Sequence, residues 1–374
     1  MTQPRVLHIE LGRHRLGGTM QVFYLHRALS ESGIASRLIT PESSVLHQLA
    51  IANNLDVTPI RYAGDADVSA IWKIAAIVRN FSPNIVHIHS RRGADVWGAI
   101  AARLASNAKI ITARRVDDPI KRTLLNRFRY GPLCDHIVAV SQGIVRALEA
   151  GGVSRDKISQ VYSAIEAQQY QSDVTPDVIR AELGLHAEGA VLAVIAQLIE
   201  RKGHRFLLAA MAQVLQAFPQ TQLLFLGEGA LEENLRARVS DLGLTERVVF
   251  AGYRDDVGRV LQAIDILIHP ATMEGFANVA MQAGAAEKPV ITTDVGGMPE
   301  SVADKETGLV VPPQNPNALA EAIISLLADP TRSRAMGAAG KQRVESRFTI
   351  EAMVSGTLAI YQQLLKSQIS TSVD

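Results

Sequence analysis

A carboxylate and an ammonium follow two predicted strands, at the strand ends where open α/β sheets bind ligands. Glu274 stands just before a predicted helix, so the backbone N–H groups of residues 275–278 can bind ligand oxygens. Lys202 lies beyond another strand, where an ammonium can neutralise a diphosphate. Gln282 comes eight residues after Glu274, about two turns of a continuous helix, which predicts both side chains on one side. The alternatives are a Glu274 that only caps the helix dipole and a Lys202 that is only solvated.

A pair of glycines follows the first predicted strand. Residues 12–18 read Gly-Arg-His-Arg-Leu-Gly-Gly and lead into a predicted helix. Gly17 and Gly18 have no Cβ to block an approach, so a phosphate can reach the N–H groups at the helix start. A plain strand-to-helix turn is the equal alternative, because the segment matches neither a Walker loop nor a GxGxxG fingerprint.

Basic residues cluster after two predicted strands of the first half. Arg91 and Arg92 follow strand 84–89, and Arg114 and Arg115 follow the next strand. Guanidinium groups bind phosphate in a bidentate fashion, so these clusters favour an anionic ligand such as a phosphorylated saccharide or a lipid diphosphate. Solvated basic loops are the alternative. His89, at a strand end, fits a structural role and a catalytic base equally well.

Residues 119–131 combine apolar and basic side chains at helical spacing. Ile120, Leu124 and Phe128 recur every fourth residue, with Lys121, Arg122, Arg127 and Arg129 around them. Such a helix can lie on an anionic membrane, at about 1 kcal/mol per basic residue near the surface. Packing of the helix on its own sheet is the equal alternative.

Two parallel sheets are expected to position these residues, because short β-branched runs alternate with amphipathic stretches. The strands predicted for the first sheet are 6–11, 84–89, 109–112, 136–140 and 158–161. Those predicted for the second are 190–196, 221–226, 248–251, 265–269, 289–293 and 308–311. The pattern therefore predicts an α/β protein with two doubly wound sheets.

The length supports two domains, since 374 residues with 47% hydrophobic content exceed one ordinary core. We predict an N-terminal domain over 1–165, a polar linker region over 166–182 and a second domain over 183–346. A C-terminal helix that returns toward the first domain, followed by a frayed tail, is predicted over 347–374.

Charge and composition exclude several classes of protein. The net charge of +1 hides a balance of +9 over residues 1–165 and −8 over the rest, so the first half is expected to prefer anions. A single cysteine, Cys134, forbids an internal disulfide and fits a reducing compartment. The first residues lack the pattern of a secretion signal, and no apolar run approaches the roughly 20 residues of a membrane span. With 5% aromatic residues, a stacking platform for nucleic acid is not expected.

Seven short motifs occur in order through the second half. They are Leu-Gly-Glu-Gly at 226–229, Phe-Ala-Gly-Tyr-Arg-Asp-Asp at 250–256, Asp-Ile-Leu-Ile-His-Pro at 265–270, Glu-Gly-Phe at 274–276, Glu-Lys-Pro-Val at 287–290, Asp-Val-Gly-Gly-Met-Pro-Glu at 294–300 and Glu-Thr-Gly-Leu-Val-Val-Pro at 306–312. The series resembles the nucleotide-sugar half of retaining glycosyltransferases of family 4. Their fold is GT-B, with two doubly wound Rossmann-like domains facing a central cleft. The resemblance extends from Gly17 and Gly18 to the helix after Phe348.

The resemblance implies a role for each matching residue. Glu274 matches the first acid of the family's Glu-x7-Glu motif, which holds the donor sugar and stabilises the transition state. Lys202 matches the diphosphate lysine, and these two residues are the catalytic pair that the resemblance implies. The implied donor-binding residues are Gly17, Gly18, Gln197, Tyr253, Arg254, Gly275, Phe276, Ala277, Asn278 and Gln282. The first domain is expected to bind the acceptor through His89, Arg91, Arg92, Arg114 and Arg115.

Three positions depart from the family pattern. Gln282 replaces the second acid, which grips the ribose, so the charge assistance of that bond, about a factor of two in strength, is lost. Gln197 replaces the diphosphate arginine, and the run from Ala113 to Arg115 stands where many relatives carry a histidine. These departures keep open a nucleotide-sugar-binding or scaffold protein that has lost turnover. An epimerase of the same architecture is a further alternative.

The expected reaction is transfer of a sugar from a nucleoside diphosphate sugar to a hydroxyl of an anionic saccharide or lipid-linked acceptor, in bacterial-type surface glycan synthesis. Retention at the anomeric carbon is implied, by a front-face route in which a diphosphate oxygen accepts the acceptor's proton. Positioned N–H groups and Lys202 then stabilise the developing charge. We expect no metal, no cofactor and no nucleic-acid partner, and a cytoplasmic location, peripheral on the inner face of the membrane.

Overall fold

The computed structural model describes residues 3–14, 17–90, 93–117 and 119–370. The chain divides into two compact units. Unit 1 consists of Met1–Ala164 together with Ile350–Asp374, and unit 2 consists of Ile165–Thr349.

Unit 1 is built on a sheet of seven parallel strands in the order β3-β2-β1-β4-β5-β6-β7. The strands are β1 (Arg5–Ile9), β2 (Ala35–Pro41), β3 (Val57–Ile60), β4 (Ile85–Ile88), β5 (Lys109–Arg114), β6 (His136–Ala139) and β7 (Ile158–Gln160). The helices are α1 (Gly17–Glu31), α2 (Val45–Ala52), α3 (Ala70–Phe81), α4 (Ala99–Ala105), α5 (Leu124–Tyr130) and α6 (Gln142–Ala150), with a π-helical turn, Ala94–Gly98, leading into α4.

Both faces of this sheet are buried, which explains the near-continuous apolar strands. Leu7 of β1 and Ile88 of β4 pack into a core on one face. Val6 of β1 and Ile85 of β4 pack into a second core on the other face. The last helix, α15 (Ile350–Ser370), belongs to this second core and packs against α1. Its Tyr361 is fully buried, and the hydroxyl lies 2.7 Å from His87 Nδ1.

Unit 2 has a sheet of six parallel strands in the order β10-β9-β8-β11-β12-β13. The strands are β8 (Val191–Ile195), β9 (Gln222–Leu226), β10 (Val248–Phe250), β11 (Ile266–His269), β12 (Val290–Thr293) and β13 (Gly308–Val311). The helices are α7 (Pro176–Glu182), α8 (His204–Ala217), α9 (Glu232–Asp241), α10 (Val257–Ala263), α11 (Asn278–Ala285), α12 (Met298–Ser301), α13 (Pro316–Ala328) and α14 (Pro330–Arg347).

Residues 166–182, predicted to be a linker region, contain a 3-10 turn, Ala167–Tyr170, and helix α7. Tyr170 and Ile179 are buried. Gly258 of α10 lies so close to the turn that a Cβ there would come within 2.2 Å of the Gln169 carbonyl oxygen. The segment is therefore packed structure within unit 2.

The two doubly wound sheets predicted from the sequence are confirmed, and each predicted strand overlaps an observed one. Strands β2 and β3 were not predicted. Arg37 interrupts the apolar pattern of β2, and β3 carries Pro59, which is tolerated because β3 lies at the sheet edge. Among the described residues, none of the helices is both long enough and apolar enough to cross a bilayer.

Candidate active site

The strand order of unit 2 reverses between β8 and β11, and this is where Lys202 and Glu274 meet. Lys202 ends a 3-10 turn, Glu200–Lys202, that follows β8. Glu274 follows β11. In an open α/β sheet, the crevice outside such a reversal is the usual ligand site, because the loops on its two sides diverge there.

Gly203 allows the loop after β8 to lie against the end of β11. Its φ is +71°, and a Cβ would come within 1.9 Å of the Pro270 carbonyl oxygen. Next to it, the Thr272 N–H donates to the Arg201 carbonyl oxygen at 2.8 Å. Only glycine permits so close an approach in this conformation, so the sequence Lys202-Gly203 places the ammonium beside Glu274.

Lys202 and Glu274 form a largely buried ion pair through Nζ and Oε2, with side chains 12% and 11% exposed. Two further donors surround the same oxygen: Arg201 Nη1 at 3.5 Å and His269 Nε2 at 3.4 Å. Sequence reasoning did not single out His269, although it sits in the Asp-Ile-Leu-Ile-His-Pro motif. Three donors around one carboxylate oxygen fix the position of Glu274.

These contacts determine the protonation states. Burial alone would raise the pKa of Glu274, but the hydrogen bond with His269 and the Lys202 ammonium outweigh it and hold that pKa far below its ordinary value. Burial lowers the pKa of His269, and the nearby Lys202 adds to this effect, while Glu274 opposes it. Glu274 is therefore a carboxylate at neutral pH, and His269 is a neutral imidazole that donates from Nε2.

Helix α11 begins at Asn278, four residues after Glu274. The helix is therefore not continuous from Glu274 to Gln282, and the condition under which the two side chains were predicted to lie on one side is not met. Gln282 instead donates from Nε2 to the Tyr170 hydroxyl at 2.9 Å. Ala277 is the N-cap residue and provides no side-chain cap.

The remaining residues of the loop before α11 are also placed. Gly275 and Phe276 precede the N-cap, and the Phe276 ring packs against Phe348 with centroids 5.4 Å apart. The Glu274 carbonyl oxygen accepts from the Gly297 N–H at 3.3 Å, which joins this loop to the turn after β12.

Other predicted donor-binding residues follow neighbouring strands at the same edge of the sheet. Gln197 follows β8 and is exposed. Tyr253, 57% exposed, and Arg254 follow β10, where Arg254 forms a bidentate pair with Asp256 at 2.7 and 2.6 Å. A bond of 2.7 Å from Gly227 N to the Gly252 carbonyl oxygen joins this loop to the end of β9. The structure shows no contact of Gln197 with the Lys202–Glu274 pair among the residues it describes.

Unit 1 has its own strand reversal, between β1 and β4. Helix α1 begins at Gly17 and Gly18 after β1, and His89 follows β4. The His89 N–H donates to the Ile9 carbonyl oxygen at 2.9 Å, and Leu11 N donates to Ser90 Oγ at 2.8 Å. The glycine pair and His89 therefore belong to the two loops that flank this reversal.

Arg115, after β5, reaches the same reversal. Its Nη2 lies 3.3 Å from His89 Nδ1, and a Cβ on Gly18 would touch its Cδ at 3.4 Å. Because a guanidinium can only donate, His89 accepts at Nδ1 and carries its proton on Nε2, which lies 2.9 Å from His8 Nδ1. A directed chain of hydrogen bonds thus runs from Arg115 through His89 to His8.

Glu10, the residue after β1, was missed by sequence reasoning. It is 5% exposed and accepts from the Gly12 N–H at 2.8 Å. Burial raises its pKa, which the Gly12 N–H and the Arg115 charge partly offset. The only signal in the sequence is an acid directly at the end of an apolar strand and before the glycine loop.

The arginines predicted to bind the acceptor do not share one environment. Arg114 is 3% exposed and donates from Nη1 to the Tyr130 hydroxyl at 3.1 Å, so its predicted acceptor contact is not supported by its position. Side chains alternate along a strand, which sends Arg114 and Arg115 to opposite faces. Arg91 and Arg92 lie outside the described residues.

Three buried imidazoles of unit 1, those of His8, His87 and His89, have nitrogen atoms within 4.8 Å of one another. Three histidines are a donor set that zinc accepts. Here, however, both nitrogens of His89 are occupied, by Arg115 and by His8, and the guanidinium next to the group repels a cation. Because His89 offers no free nitrogen, only the Nε2 atoms of His8 and His87, which have no partner among the described residues, remain, and the cluster does not present three free ligands to a metal.

Family comparisons cover most of the chain. The model of the glycosyltransferase family 4 domain matches residues 17–169, and that of glycosyl transferases group 1 matches residues 177–343. A GDP-mannose-dependent monoacylated alpha-(1-6)-phosphatidylinositol monomannoside mannosyltransferase of Corynebacterium glutamicum is 34% identical over 71% of this chain and 75% of its own length.

Two further likenesses span nearly the whole chain. The lipopolysaccharide core biosynthesis glycosyltransferase LpsE of Rhizobium meliloti is 27% identical over 97% of this chain and 99% of its own. The crystal structure of Anabaena HepE with UDP and glucose superposes with a TM-score of 0.81, at 19% identity, over 98% of this chain and all of that one. The structural likeness supports the GT-B assignment of the two Rossmann-like domains.

Proposed function

Because the chain belongs to glycosyltransferase family 4, we propose that it transfers a sugar, with retention at the anomeric carbon, from a nucleoside diphosphate sugar to a hydroxyl of an anionic acceptor. The observation that carries this proposal is the buried Lys202–Glu274 pair at the strand reversal of unit 2. It provides a cation for the diphosphate and a fixed carboxylate for the sugar at one point.

Glu274 acts as a carboxylate throughout this reaction. Its lowered pKa excludes a role as general acid at neutral pH, since a proton donor must first be protonated. A fixed negative charge instead stabilises the oxocarbenium-like sugar and accepts hydrogen bonds from its hydroxyls. The proton of the acceptor hydroxyl passes to an oxygen of the departing diphosphate, so no protein base is needed.

Lys202 gains a second partner when the donor binds. In the structure its ammonium neutralises Glu274. A diphosphate shares that ammonium, and Arg201, 3.5 Å from the same carboxylate, supplies a second cation in place of the family's arginine at Gln197. The backbone N–H groups at the start of α11 add hydrogen bonds to the same anion.

The acceptor is assigned to unit 1 because its strand reversal is cationic. Arg115 lies there beside neutral imidazoles, and the first half of the chain has a balance of +9. Burial lowers the pKa of His89 well below its ordinary value, so His89 carries no charge and orients Arg115 by accepting its hydrogen bond. The names of the relatives in Corynebacterium and Rhizobium, a phosphatidylinositol monomannoside transferase and a lipopolysaccharide core transferase, support a lipid-linked or saccharide acceptor.

The protein is proposed to work at the inner, cytoplasmic face of an anionic membrane. Helix α5 begins only at Leu124, so the 13-residue helix suggested by the spacing of Ile120 is shorter than predicted. Leu124, Leu125 and Phe128 are 82%, 63% and 48% exposed, which contradicts packing of this helix face on the sheet. Exposed apolar side chains with Arg127 between them are typical of an interfacial helix.

Thermal-shift measurements with UDP-, GDP- and ADP-sugars test the donor assignment, since a ligand bound only by the folded state raises its melting temperature. We expect one nucleotide class to stabilise the wild type and to give transfer to a lipid-linked acceptor. Donor binding without transfer or slow hydrolysis would favour the alternative of a binding protein, which the replacements at Gln197 and Gln282 motivate. Absence of a shift with every donor would contradict both.

A further inference from the structure

Beside helix α5, unit 1 has a cavity of about 230 Å³ with three basic side chains in its wall, Arg122, Arg127 and Lys157. Asn126 and Ser154 add polar groups, and none of the residues that line it is acidic. The volume is below the 300 Å³ or so at which pockets for drug-sized ligands begin, but a phosphate ester with a few carbon atoms fits.

The cations around this cavity are weakly engaged by the protein itself. Arg122 donates to the Ala150 carbonyl oxygen at 3.2 and 3.3 Å, and Lys157 Nζ lies 3.5 Å from the carbonyl oxygens of Gly131 and Cys134. The guanidinium of Arg127 has no hydrogen bond or ion pair with any residue that the structure describes. The nearest acid in sequence, Asp156, is bonded to the Ser154 hydroxyl.

Helix α5 presents its apolar side chains next to this cavity. Its inner side is held by Tyr130, which is 7% exposed, and by the ion pair between Arg129 and Asp95. Its outer side carries Leu124, Leu125 and Phe128, three of the ten large apolar side chains found exposed in the described chain. Three exposed apolar side chains on one seven-residue helix are typical of a surface that contacts a partner or a membrane.

We infer that the cavity binds the phosphate of an anionic phospholipid headgroup while Leu124, Leu125 and Phe128 enter the bilayer. The inference rests on the membrane association proposed above and specifies its lipid contact. Charge complementarity supports the inference. The lining has three cations and no acid and lies beside exposed apolar side chains, and a phospholipid has an anionic phosphate joined to apolar acyl chains.

This lipid site is separate from the acceptor site. Gly131 and Lys157 precede strands β6 and β7, so the cavity lies toward the amino ends of the strands. Arg115 and His89 follow β5 and β4 and lie at the carboxyl ends. Variants in the cavity are therefore expected to change binding to the membrane without changing transfer to a soluble acceptor.

Vesicle sedimentation of the full chain tests the lipid site, using phosphatidylcholine with and without phosphatidylglycerol. The matched pair is Arg127→Gln, which removes a cavity cation, and Lys121→Gln, which removes an exposed cation outside the lining. Loss of one surface charge weakens binding about fivefold, so we expect that for Lys121→Gln and at least tenfold for Arg127→Gln. Equal losses of vesicle binding in the two variants would overturn the proposed site, because the total surface charge would then be enough to explain binding.

Two further arms separate the ligand sources and the underlying proposal. Leu124→Ser should weaken vesicle binding about tenfold, whereas glycerol 3-phosphate alone should not displace the protein from vesicles. Displacement by glycerol 3-phosphate with no effect of Leu124→Ser would assign the cavity to a soluble phosphate ester and overturn the lipid inference. Donor-induced thermal shifts in the same preparations show whether transferase function, rather than the lipid site, has failed.

Discussion

The two strand reversals share one topology but differ in charge. In unit 2, the cation Lys202 and the anion Glu274 neutralise each other within a largely buried contact. In unit 1, Arg115 meets neutral imidazoles, and burial raises the pKa of the nearby Glu10. A neutralised pair suits a ligand with both phosphate and hydroxyl groups, whereas a guanidinium hydrogen-bonded to a neutral imidazole suits an anion. The same topology therefore presents different charges at its two reversals, through the residues that follow the central strands.

The largest expected effect comes from removing the charge at the unit 2 reversal. Glu274→Gln keeps the shape but deletes the carboxylate proposed to stabilise the transition state, so kcat/KM should fall about 10² to 10³-fold. Steady-state transfer with the donor found by thermal shift measures it. Glu287→Gln is the control, because Glu287 is an exposed partner of Lys341 at 2.7 Å. Activity of Glu274→Gln within threefold of the wild type would remove its catalytic role.

Breaking the pair from its other side should destabilise unit 2. Lys202→Met leaves the Glu274 carboxylate buried with Arg201 and His269 as its remaining donors among the described side chains, which we expect to cost about 2 to 3 kcal/mol of the free energy of unfolding. Denaturant unfolding measures this. The double variant with Glu274→Gln should recover most of the loss, since no buried charge is then left unpaired. A purely additive double variant would show that the pair is not coupled.

A substitution at the strand reversal of unit 1 should weaken binding of the acceptor and leave binding of the donor unchanged. Arg115→Gln removes the guanidinium proposed to bind an anionic acceptor, so the acceptor KM should rise about tenfold while the donor-induced thermal shift stays unchanged. Arg115→Lys should restore part of the affinity, because the charge returns without the bidentate geometry. Arg61→Gln is the control, as that side chain is 90% exposed. A changed donor shift in Arg115→Gln would contradict the assignment of separate ligands.

Acid should unfold unit 1 before unit 2. Burial lowers the pKa of five histidines in unit 1, to about 4 for His26, and of two in unit 2, to about 4 for His204. The set in unit 1 is His8, His26, His87, His89 and His136, and that in unit 2 is His204 and His269. Between pH 6.5 and about 4 the unfolded chain binds more protons at these sites, so stability falls as pH falls through this window.

Amide exchange followed by mass spectrometry from pH 7 to pH 4.5 measures this order. The raised pKa of Glu10 works in the opposite sense near its ordinary range, but it is one group against five. Earlier loss of protection in β8 and β11 than in β1 and β4 would contradict the expectation.

Sequence reasoning found the residues that strand ends bring together. Lys202, Glu274 and Arg115 each follow a predicted strand and His89 ends one, and parallel strands place their carboxyl ends at one edge. Such positions can be read from local patterns, because strand and turn signals are local.

What could not be predicted depends on contacts between distant segments. Glu10 interacts electrostatically with Arg115, more than a hundred residues later, and His8 is linked to Arg115 through His89. Gln282 donates to Tyr170, which lies in the predicted linker region. The burial of Arg114 also depends on Tyr130, which approaches only when α5 packs. Periodicity carries no information about such partners.

The smallest expected effect comes from Gln282, which replaces the second acid of the family's Glu-x7-Glu motif. Gln282 donates to the Tyr170 hydroxyl at 2.9 Å. In Gln282→Glu the hydroxyl can donate to the new carboxylate, so the contact is kept with its direction reversed and a charge-assisted acceptor for ribose is gained. Donor affinity, measured by titration calorimetry, should rise about threefold.

Tyr170→Phe provides the matched control for Gln282→Glu, since it frees the amide without adding charge. We expect donor affinity in Tyr170→Phe to change less than twofold, because the amide oxygen of Gln282 is still able to accept from a hydroxyl. A tenfold loss in Gln282→Glu would mean that the amide N–H itself binds the donor. The unit 2 site would then require an uncharged residue at position 282, since the carboxylate added by Gln282→Glu would repel the anionic donor.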